Sequence, residues 1–218
     1  MSFTEQLISD YKENRTDFND NFRLKIHRTL SWLKKANEEE NLDFKFISLW
    51  IAFNAAYADE LKEDLGDRNA FQAFLNHLCN LDRDFLLYDI IWDKYQDSVL
   101  ALLDTPYTFQ PFWEYHNGDL SKNDWRKMFT LAKNKAKFAF NDRETIPVLD
   151  VIFRHLYTLR NQLLHGGATY ESSANRKQLQ DACDLLSHFV PAIVQIMLNN
   201  PNDEYWGKPY YPYVNVAA

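Results

Sequence analysis

The sequence predicts an all-α protein, and three observations lead to this prediction. Apolar residues recur at spacings of three and four positions along most of the chain, which is the period of a helix with one buried face. Strict alternation of apolar and polar residues over the length of a strand is hard to find. The 218 residues include only 5 Gly and 7 Pro, few for the many turns of an all-β chain. We therefore expect a bundle of helices.

The first half of the chain carries five predicted helices. Each combines an apolar stripe with a polar face, and the segments are 4–14, 17–38, 42–64, 67–80 and 83–103. The third helix has the broadest stripe, which runs from Phe46 to Leu61, and Gly66 closes it. A stripe of this width predicts that the helix is largely buried.

A loop and three longer helices are predicted for the second half. Residues 104–121 contain two prolines, Gly118 and several aromatic residues, which is typical of an ordered loop with one short helical turn. The helices that follow are 122–140, 145–165 and 173–199. Pro147 fits the first turn of its helix, where a missing N–H costs little. Gly166 and Gly167 suit a left-handed cap at the end of the same helix.

The predicted organisation is one domain, residues 1–199, with four to five core helices. The core helices with the strongest apolar faces are 17–38, 42–64, 145–165 and 173–199. A bundle follows from that count, and residues 66–142 become an inserted helical region. The tail, residues 200–218, is rich in aromatic side chains that are costly in water. We expect it to pack on its own chain or on a neighbour.

Charge and composition narrow the classes of partner and compartment. The formal net charge is −7 and the isoelectric point is near 5.4. These values exclude a protein that binds nucleic acid over most of its surface, but they are compatible with a local basic face. Cys79 and Cys183 have no metal-like spacing and suit free thiols in a reducing cytosol. The first residues, MSFTEQLISDYKENR, carry acids and lack an apolar run, so we expect no signal peptide. Its longest apolar run, Leu185 to Leu198, is too short to cross a bilayer. We expect a cytoplasmic protein without membrane contact.

One segment carries the candidate chemistry. Residues 154–167 read RHLYTLRNQLLHGG, in which Arg160 is followed by Asn161 and, five positions on, by His165. At about 100° per residue, Asn161 and His165 lie about 40° apart on one helical face. Arg160 lies about 140° from His165 and must wrap around the helix or act from another copy. The structural alternative, without a catalytic role, is a helix end with a solvated arginine and a histidine that caps carbonyl groups.

The three residue types suit the cleavage of RNA. Arginine offers planar, paired donors to the non-bridging phosphate oxygens, and histidine passes a proton at neutral pH. The negative end of a helix favours a protonated imidazole at this position. With these groups the neighbouring 2′-hydroxyl can attack phosphorus without a metal. Most other catalytic signatures are absent, and we expect no cofactor.

At these residues the chain resembles the HEPN family of helical domains. The family motif is an arginine, commonly followed by a polar residue such as Asn, then a histidine four to six positions on. RNQLLHGG is similar to forms found in Apea-like members, and LWIAFNAAY, residues 49–57, is similar to the preceding bundle helix. The resemblance covers residues 17–64 and 143–199. It implies an all-α, HEPN-like homodimer that cuts RNA without metal, as a toxin or an anti-phage effector.

The resemblance also implies roles and partners. A two-fold axis would let Arg160 of one chain approach His165 of the other. An antitoxin or a nucleotidyltransferase-like protein is the further partner expected. The antitoxin-modified subgroup carries a tyrosine two positions after the histidine, whereas this chain has Gly167. Nucleotidylation at such a tyrosine is therefore not expected.

Four further residues are candidates for RNA binding, and each has a structural alternative. Asn54 could face the cleft, or simply hydrogen-bond a neighbouring helix. Lys133 and Lys137 share a helical face in a segment, residues 122–143, with seven basic residues and two acids. They could contact phosphates or form a solvated face. Arg154 could line the cleft from the motif helix, as could the neighbouring His155, which is otherwise structural.

Two functions outside catalysis stay open. The first is a non-catalytic HEPN module that binds nucleotide, RNA or a partner protein. The second is a purely structural role in dimerisation, in which replacing Arg160 affects neither binding nor cleavage.

Overall fold

The computed structural model describes residues 3–58 and 66–214, which form an all-α fold. Short 3₁₀ and π segments connect the helices, and no β-strand occurs in these two ranges. The α-helices in this part of the chain are α1 (Phe3–Asn14), α2 (Asp20–Glu38), α3 (Leu42–Tyr57), α4 (Gly66–Leu81), α5 (Leu86–Asp89), α6 (Gln96–Asp104), α7 (Gln110–Asn117), α8 (Lys122–Asn141), α9 (Thr145–Leu164) and α10 (Arg176–Asn199). The all-α class predicted from the sequence is confirmed.

The chain divides into two compact units. The first consists of residues 1–83 and 186–218, and the second of residues 84–185. Helix α10 belongs to both, because its residues through Leu185 fall in the second unit and the rest in the first. The second unit holds the motif helix α9 together with most of the segment 66–142 that the sequence suggested as an insertion.

In the first unit, α2 packs against α3, and α1 and α4 flank this pair. Asparagine side chains start both central helices: Asn19 accepts from the backbone N–H of Phe22, and Asn41 accepts from two backbone N–H groups of the first turn of α3. These bonds satisfy donors that a helix start leaves unpaired. The packed face contains Phe22, Ile26, Leu30, Leu33, Phe46, Leu49 and Phe53, all nearly inaccessible to solvent.

Helix α3 is shorter than the sequence predicts. The predicted segment runs from 42 to 64, whereas the helix ends at Tyr57 because Ala58 adopts an extended conformation, with ψ of 128°. The remainder of that prediction, which includes Leu61, lies outside the described residues. The burial predicted for this helix is found, since nine of its residues are buried.

The aromatic tail packs in part on its own chain. Trp206 is 3% exposed, and its indole N–H donates to the backbone oxygen of Asn200 at 2.7 Å. The ring centres of Trp206 and Phe74 lie 6.2 Å apart, in a T-shaped arrangement. Tyr211 and Tyr213, further along the tail, are 73% and 75% exposed on this chain. Residues 215–218 lie outside the described part.

In the second unit, the single helix predicted at 83–103 is wrong. The chain forms the one-turn helix α5, then a π-helical turn at Ile90–Lys94, and then α6. Tyr95, with φ of −129°, separates the π-helical turn from α6. A π turn carries an extra residue per turn and so rotates whatever follows it. The apolar pattern continues through this break, which is why periodicity alone does not reveal it.

The loop predicted at 104–121 contains more helix than expected. A 3₁₀ turn, Pro106–Thr108, called here the Tyr107 turn, is followed by the two-turn helix α7. Pro111 lies in the first turn of α7, where a proline removes no helical hydrogen bond. Gly118 ends the helix with φ of +91°. Helix α9 packs against α6, α8 and the Tyr107 turn.

One helix in the described part, Ser173–Asn199, is long and apolar enough by composition to cross a membrane. Two observations account for its apolar character without a membrane. Most of its apolar window, 67%, is buried within the protein, and its buried side chains belong to the core.

The first prediction concerns the tail. Replacing Trp206 with Ala removes a buried indole, its hydrogen bond to Asn200 and its contact with Phe74, so we expect the free energy of unfolding to fall by about 3–5 kcal/mol. Urea denaturation followed by circular dichroism measures this. The matched control Tyr213→Ala, on an exposed ring, should change the value by less than about 0.5 kcal/mol. Equal effects of the two substitutions would contradict the packing described for Trp206.

Candidate active site on helix α9

The helix that carries the motif ends in a two-glycine cap. His165 is the capping residue, and Gly166 adopts the left-handed conformation with φ of +69°, as the sequence predicts. The N–H of Gly166 donates to Leu163 O at 3.3 Å, and that of Gly167 donates to Gln162 O at 2.7 Å. This pair of bonds is a Schellman motif. A Cβ at position 167 would lie 3.2 Å from the Gln162 oxygen, so the cap itself favours glycine there.

Arg160 and Asn161 are already joined in the single chain. The Nη1 of Arg160 donates to Asn161 Oδ1 at 2.9 Å, and the guanidinium carbon lies 5.7 Å from the ring centre of Tyr157. The Nε of Arg160 is buried and has no hydrogen-bond partner among the described residues. An unpaired buried donor costs about 1–3 kcal/mol. The guanidinium is therefore held in place by Asn161, and its Nε is enclosed by the protein.

His165 is separate from this pair. Its side chain is exposed and makes no hydrogen bond to any residue in 3–58 or 66–214. Around the helix axis it lies about 140° from Arg160 and about 40° from Asn161. One chain thus brings together Arg160 and Asn161, and presents His165 to solvent at the end of the helix.

The Tyr107 turn is attached to α9 at two points. Thr108 Oγ1 and His155 Nδ1 are hydrogen-bonded at 2.6 Å, and the side-chain amide of Gln162 donates to the backbone oxygen of Tyr107 at 2.6 Å. Positions 155 and 162 are seven residues apart, so they lie on nearly the same face of the helix, about 10 Å apart along its axis. The turn therefore follows this face toward the end that carries His165.

His155 is a structural residue. Its side chain is 5% exposed, and burial lowers its pKa to about 4. The imidazole is therefore neutral at neutral pH and holds the Thr108 hydroxyl rather than a substrate. Of the two interpretations that the sequence left open for His155, the structure supports the structural one.

The predicted RNA-binding residues on the second unit lie on its surface in exposed ion pairs. Arg154 Nε is 2.9 Å from Asp150 Oδ2, and the Arg154 side chain is 54% exposed. Lys133 and Lys137 approach the same carboxylate oxygen of Asp104, at 3.0 Å and 4.0 Å. The two lysines therefore share a face, as predicted. Exposed pairs of this kind contribute little to stability, so these cations can exchange their carboxylates for phosphates.

Asn54 belongs to the other unit. It lies in α3, and its side-chain oxygen is buried without a hydrogen-bond partner among the described residues. The motif of α9 lies in the second unit. The role predicted for Asn54 at the same cleft stays a prediction.

The described residues contain no metal cluster, and a groove lies in the unit that does not carry the motif. No group of three or more His, Cys, Asp or Glu side chains in 3–58 and 66–214 is arranged to hold a metal ion. A groove of about 680 Å³ lies in the first unit, where Arg15, Arg23, His27 and Tyr213 contribute to its lining. None of the predicted site residues lines this groove.

Sequence reasoning missed the Tyr107 turn as a neighbour of the motif. Tyr107 precedes Gln162 by 55 positions, and the carbonyl that Gln162 contacts is a backbone group that any residue would supply. The only local signal was the pair of prolines around the turn, which indicated an ordered loop but not its location.

Comparison of the chain with models of known protein families, with curated proteins and with solved structures finds no match.

A second prediction follows from the burial of His155. Because its pKa of about 4 in the folded state lies below the ordinary value near 6.5, the unfolded chain binds the extra proton first as pH falls. Stability is therefore lost between about pH 6.5 and pH 4. Between pH 7.5 and pH 5.0, the free energy of unfolding should fall by about 2 kcal/mol more in the wild type than in His155→Gln.

Urea denaturation at the two pH values measures this difference. Glutamine keeps a polar partner for Thr108 but cannot take up the proton. The control His27→Gln, at an exposed position, should retain the pH dependence of the wild type. If His155→Gln retains it as well, the neutral buried imidazole is refuted.

Proposed function

We propose that this chain is a HEPN-like, metal-independent endoribonuclease that acts as a homodimer. The observation that carries the proposal is the Arg160–Asn161 pair, which is hydrogen-bonded at 2.9 Å one helical turn before an exposed His165. A positioned guanidinium can stabilise the charge on a phosphate and a solvent-facing imidazole can transfer protons, and metal-free cleavage of RNA needs both kinds of function. The Schellman cap fixes the position of the His165 backbone at the end of α9.

In the proposed reaction the RNA supplies its own nucleophile. The 2′-oxygen attacks the adjacent phosphorus, the new P–O2′ bond forms, and the bond from phosphorus to the 5′-oxygen of the next nucleotide breaks. His165 accepts the proton that the 2′-hydroxyl loses, and the resulting imidazolium gives a proton to the departing 5′-oxygen. Arg160 stabilises the charge that builds on the non-bridging oxygens. The products are a 2′,3′-cyclic phosphate and a 5′-hydroxyl end.

Asn161 has a specific role in this proposal. Because its side-chain oxygen already accepts from Arg160 Nη1, it orients the guanidinium and leaves the other terminal nitrogen, Nη2, for a phosphate oxygen. Orienting a donor before substrate arrives lowers the entropy lost on binding. Asn161 is thus a positioning residue rather than a proton carrier.

A second subunit would complete the site. Within one chain the angle of about 140° keeps Arg160 and His165 on different sides of α9. A two-fold axis beside the end of α9 would place Arg160 of one protomer opposite His165 of its partner. Lys133, Lys137 and Arg154 would then contact flanking phosphates.

The biological role belongs to the same proposal. A ribonuclease of this type would serve as a toxin or an anti-phage effector, restrained by an antitoxin or a nucleotidyltransferase-like protein. A chain that acts in this way should arrest growth when it is expressed alone, and His165→Ala should relieve the arrest.

The third prediction concerns cleavage. Single-stranded RNA should be cut equally with and without EDTA, and His165→Ala and Arg160→Ala should each lower the rate by at least about 100-fold. Gel analysis measures the rate, and mass spectrometry identifies the 2′,3′-cyclic phosphate ends. The controls His27→Ala and Arg15→Ala, at exposed positions of the first unit, should cut at the wild-type rate. Sensitivity to the chelator, or full activity of both motif variants, would defeat the proposal.

The fourth prediction separates a shared site from a site within one chain. When Arg160→Ala and His165→Ala chains are co-expressed in equal amounts, about half of the dimers are mixed. Each mixed dimer contains one intact pairing of Arg160 with His165 across the axis. The mixture should therefore recover about one quarter of the wild-type rate, although each variant alone is inactive. No recovery, with mixed dimers detected by native mass spectrometry, would place both groups in one chain.

A non-catalytic binding module is the second candidate. One observation favours it: within the described residues His165 contacts neither Arg160 nor Asn161 through a hydrogen bond. A module of this kind should shift RNA or a nucleotide in a binding assay without cutting any strand. Binding and cleavage assays on the same sample distinguish the two candidates.

A further inference from the structure

An exposed aromatic ring lies beside the motif on a rigid turn. Tyr107 is 48% exposed, although the turn that carries it is held firmly. Its backbone oxygen accepts from Gln162 at 2.6 Å and from the indole N–H of Trp113 at 2.8 Å. The next residue, Thr108, is hydrogen-bonded to the buried His155. The backbone beneath the ring is thus fixed from three sides.

The attachment to α9 sets the position of the ring relative to the motif. His155 and Gln162 lie on one face of the helix, and His165 follows Gln162 by three residues, about 60° around the axis. On the other side of His165, about 40° away, lies Asn161. The Tyr107 turn therefore reaches α9 within one helical turn of His165, on the side opposite to Asn161.

The ring itself is oriented but not covered. Phe112 meets it nearly at right angles, with the ring centres 5.5 Å apart, and this contact restricts its rotation. The Tyr107 hydroxyl has no hydrogen-bond partner among the described residues. A fixed, uncharged aromatic surface near the exposed His165 is an arrangement on which an unpaired base can stack.

We propose that Tyr107 is a subsite for an unpaired base of the RNA substrate, on the side of α9 that carries His165. This inference rests on the proposed function and specifies its substrate class. A base stacks on an aromatic side chain only after it leaves a duplex. The protein should accordingly bind single-stranded RNA and loops better than duplex RNA.

The test measures RNA binding without cleavage. A His165→Ala chain serves as the parent, and fluorescence anisotropy follows its binding to a labelled single-stranded oligoribonucleotide. Adding Tyr107→Ala or Tyr107→Leu should weaken binding about 5- to 100-fold, because neither side chain offers an aromatic face. Adding Tyr107→Phe should change affinity by less than about 3-fold, and so should Phe44→Ala, at an aromatic residue that is 52% exposed in the first unit.

Oligonucleotides with single abasic positions identify the contact. For the parent, one abasic position should weaken binding about as much as Tyr107→Ala does, and the same position should cost nothing further in the Tyr107→Ala chain. The hydrogen bonds of this turn use the backbone of residue 107, so Tyr107→Leu, which keeps an apolar contact with Phe112, should keep the unfolding midpoint of the parent. The Leu variant guards against a loss of packing in the Ala variant.

The outcomes separate the inference from the proposed function. If the wild-type chain cuts RNA and the Tyr107 variants bind as tightly as the parent, the base subsite is refuted and the nuclease proposal stands. Additive losses from the abasic position and Tyr107→Ala would also refute the subsite. If the wild type neither binds nor cuts any RNA, both proposals fall.

Discussion

The candidate site depends on where helix α9 ends. The two bonds from Gly166 and Gly167 stop the helix at Leu164, so His165 stands at its last position, outside the packed face, rather than continuing into another turn. Arg160, one turn earlier, is half-buried and bonded to its neighbour Asn161. A longer helix would place further side chains between His165 and solvent. A frayed end would release the imidazole from any fixed relation to the guanidinium.

Helix α9 also holds the Tyr107 turn, which forms part of the surface near the motif. A single polar face, marked by His155 and Gln162, binds the Tyr107 turn, while the apolar faces pack against α6 and α8. Polar attachment at two points, two helical turns apart, leaves the turn no freedom to slide. The neutral imidazole at the buried point gives the Thr108 hydroxyl its shortest hydrogen bond, 2.6 Å, at a position that water does not reach.

Periodicity revealed most of the helices, and local chemistry revealed the cap and the motif. The left-handed cap at Gly166 was predictable because helix ends follow rules that span only a few residues. The break at 90–95 was not, since its apolar pattern is continuous, and α7 was hidden because Pro111 resembles a loop marker when its place in a first turn is unknown. The bond between Gln162 and Tyr107 joins residues 55 positions apart, and no local pattern encodes such a contact.

The π turn at Ile90–Lys94 determines how the buried face before it is oriented relative to the buried face of α6. The buried set Leu87, Ile90 and Ile91 is repeated twelve positions later by Val99, Leu102 and Leu103. On an unbroken α-helix, twelve positions correspond to a rotation of about 120°, and the two sets would point in different directions. The irregular segment restores their phase. Removing Asp93 there would keep every apolar side chain, yet turn α6 away from the helix that bears the motif, so the length of this segment is constrained more tightly than its composition.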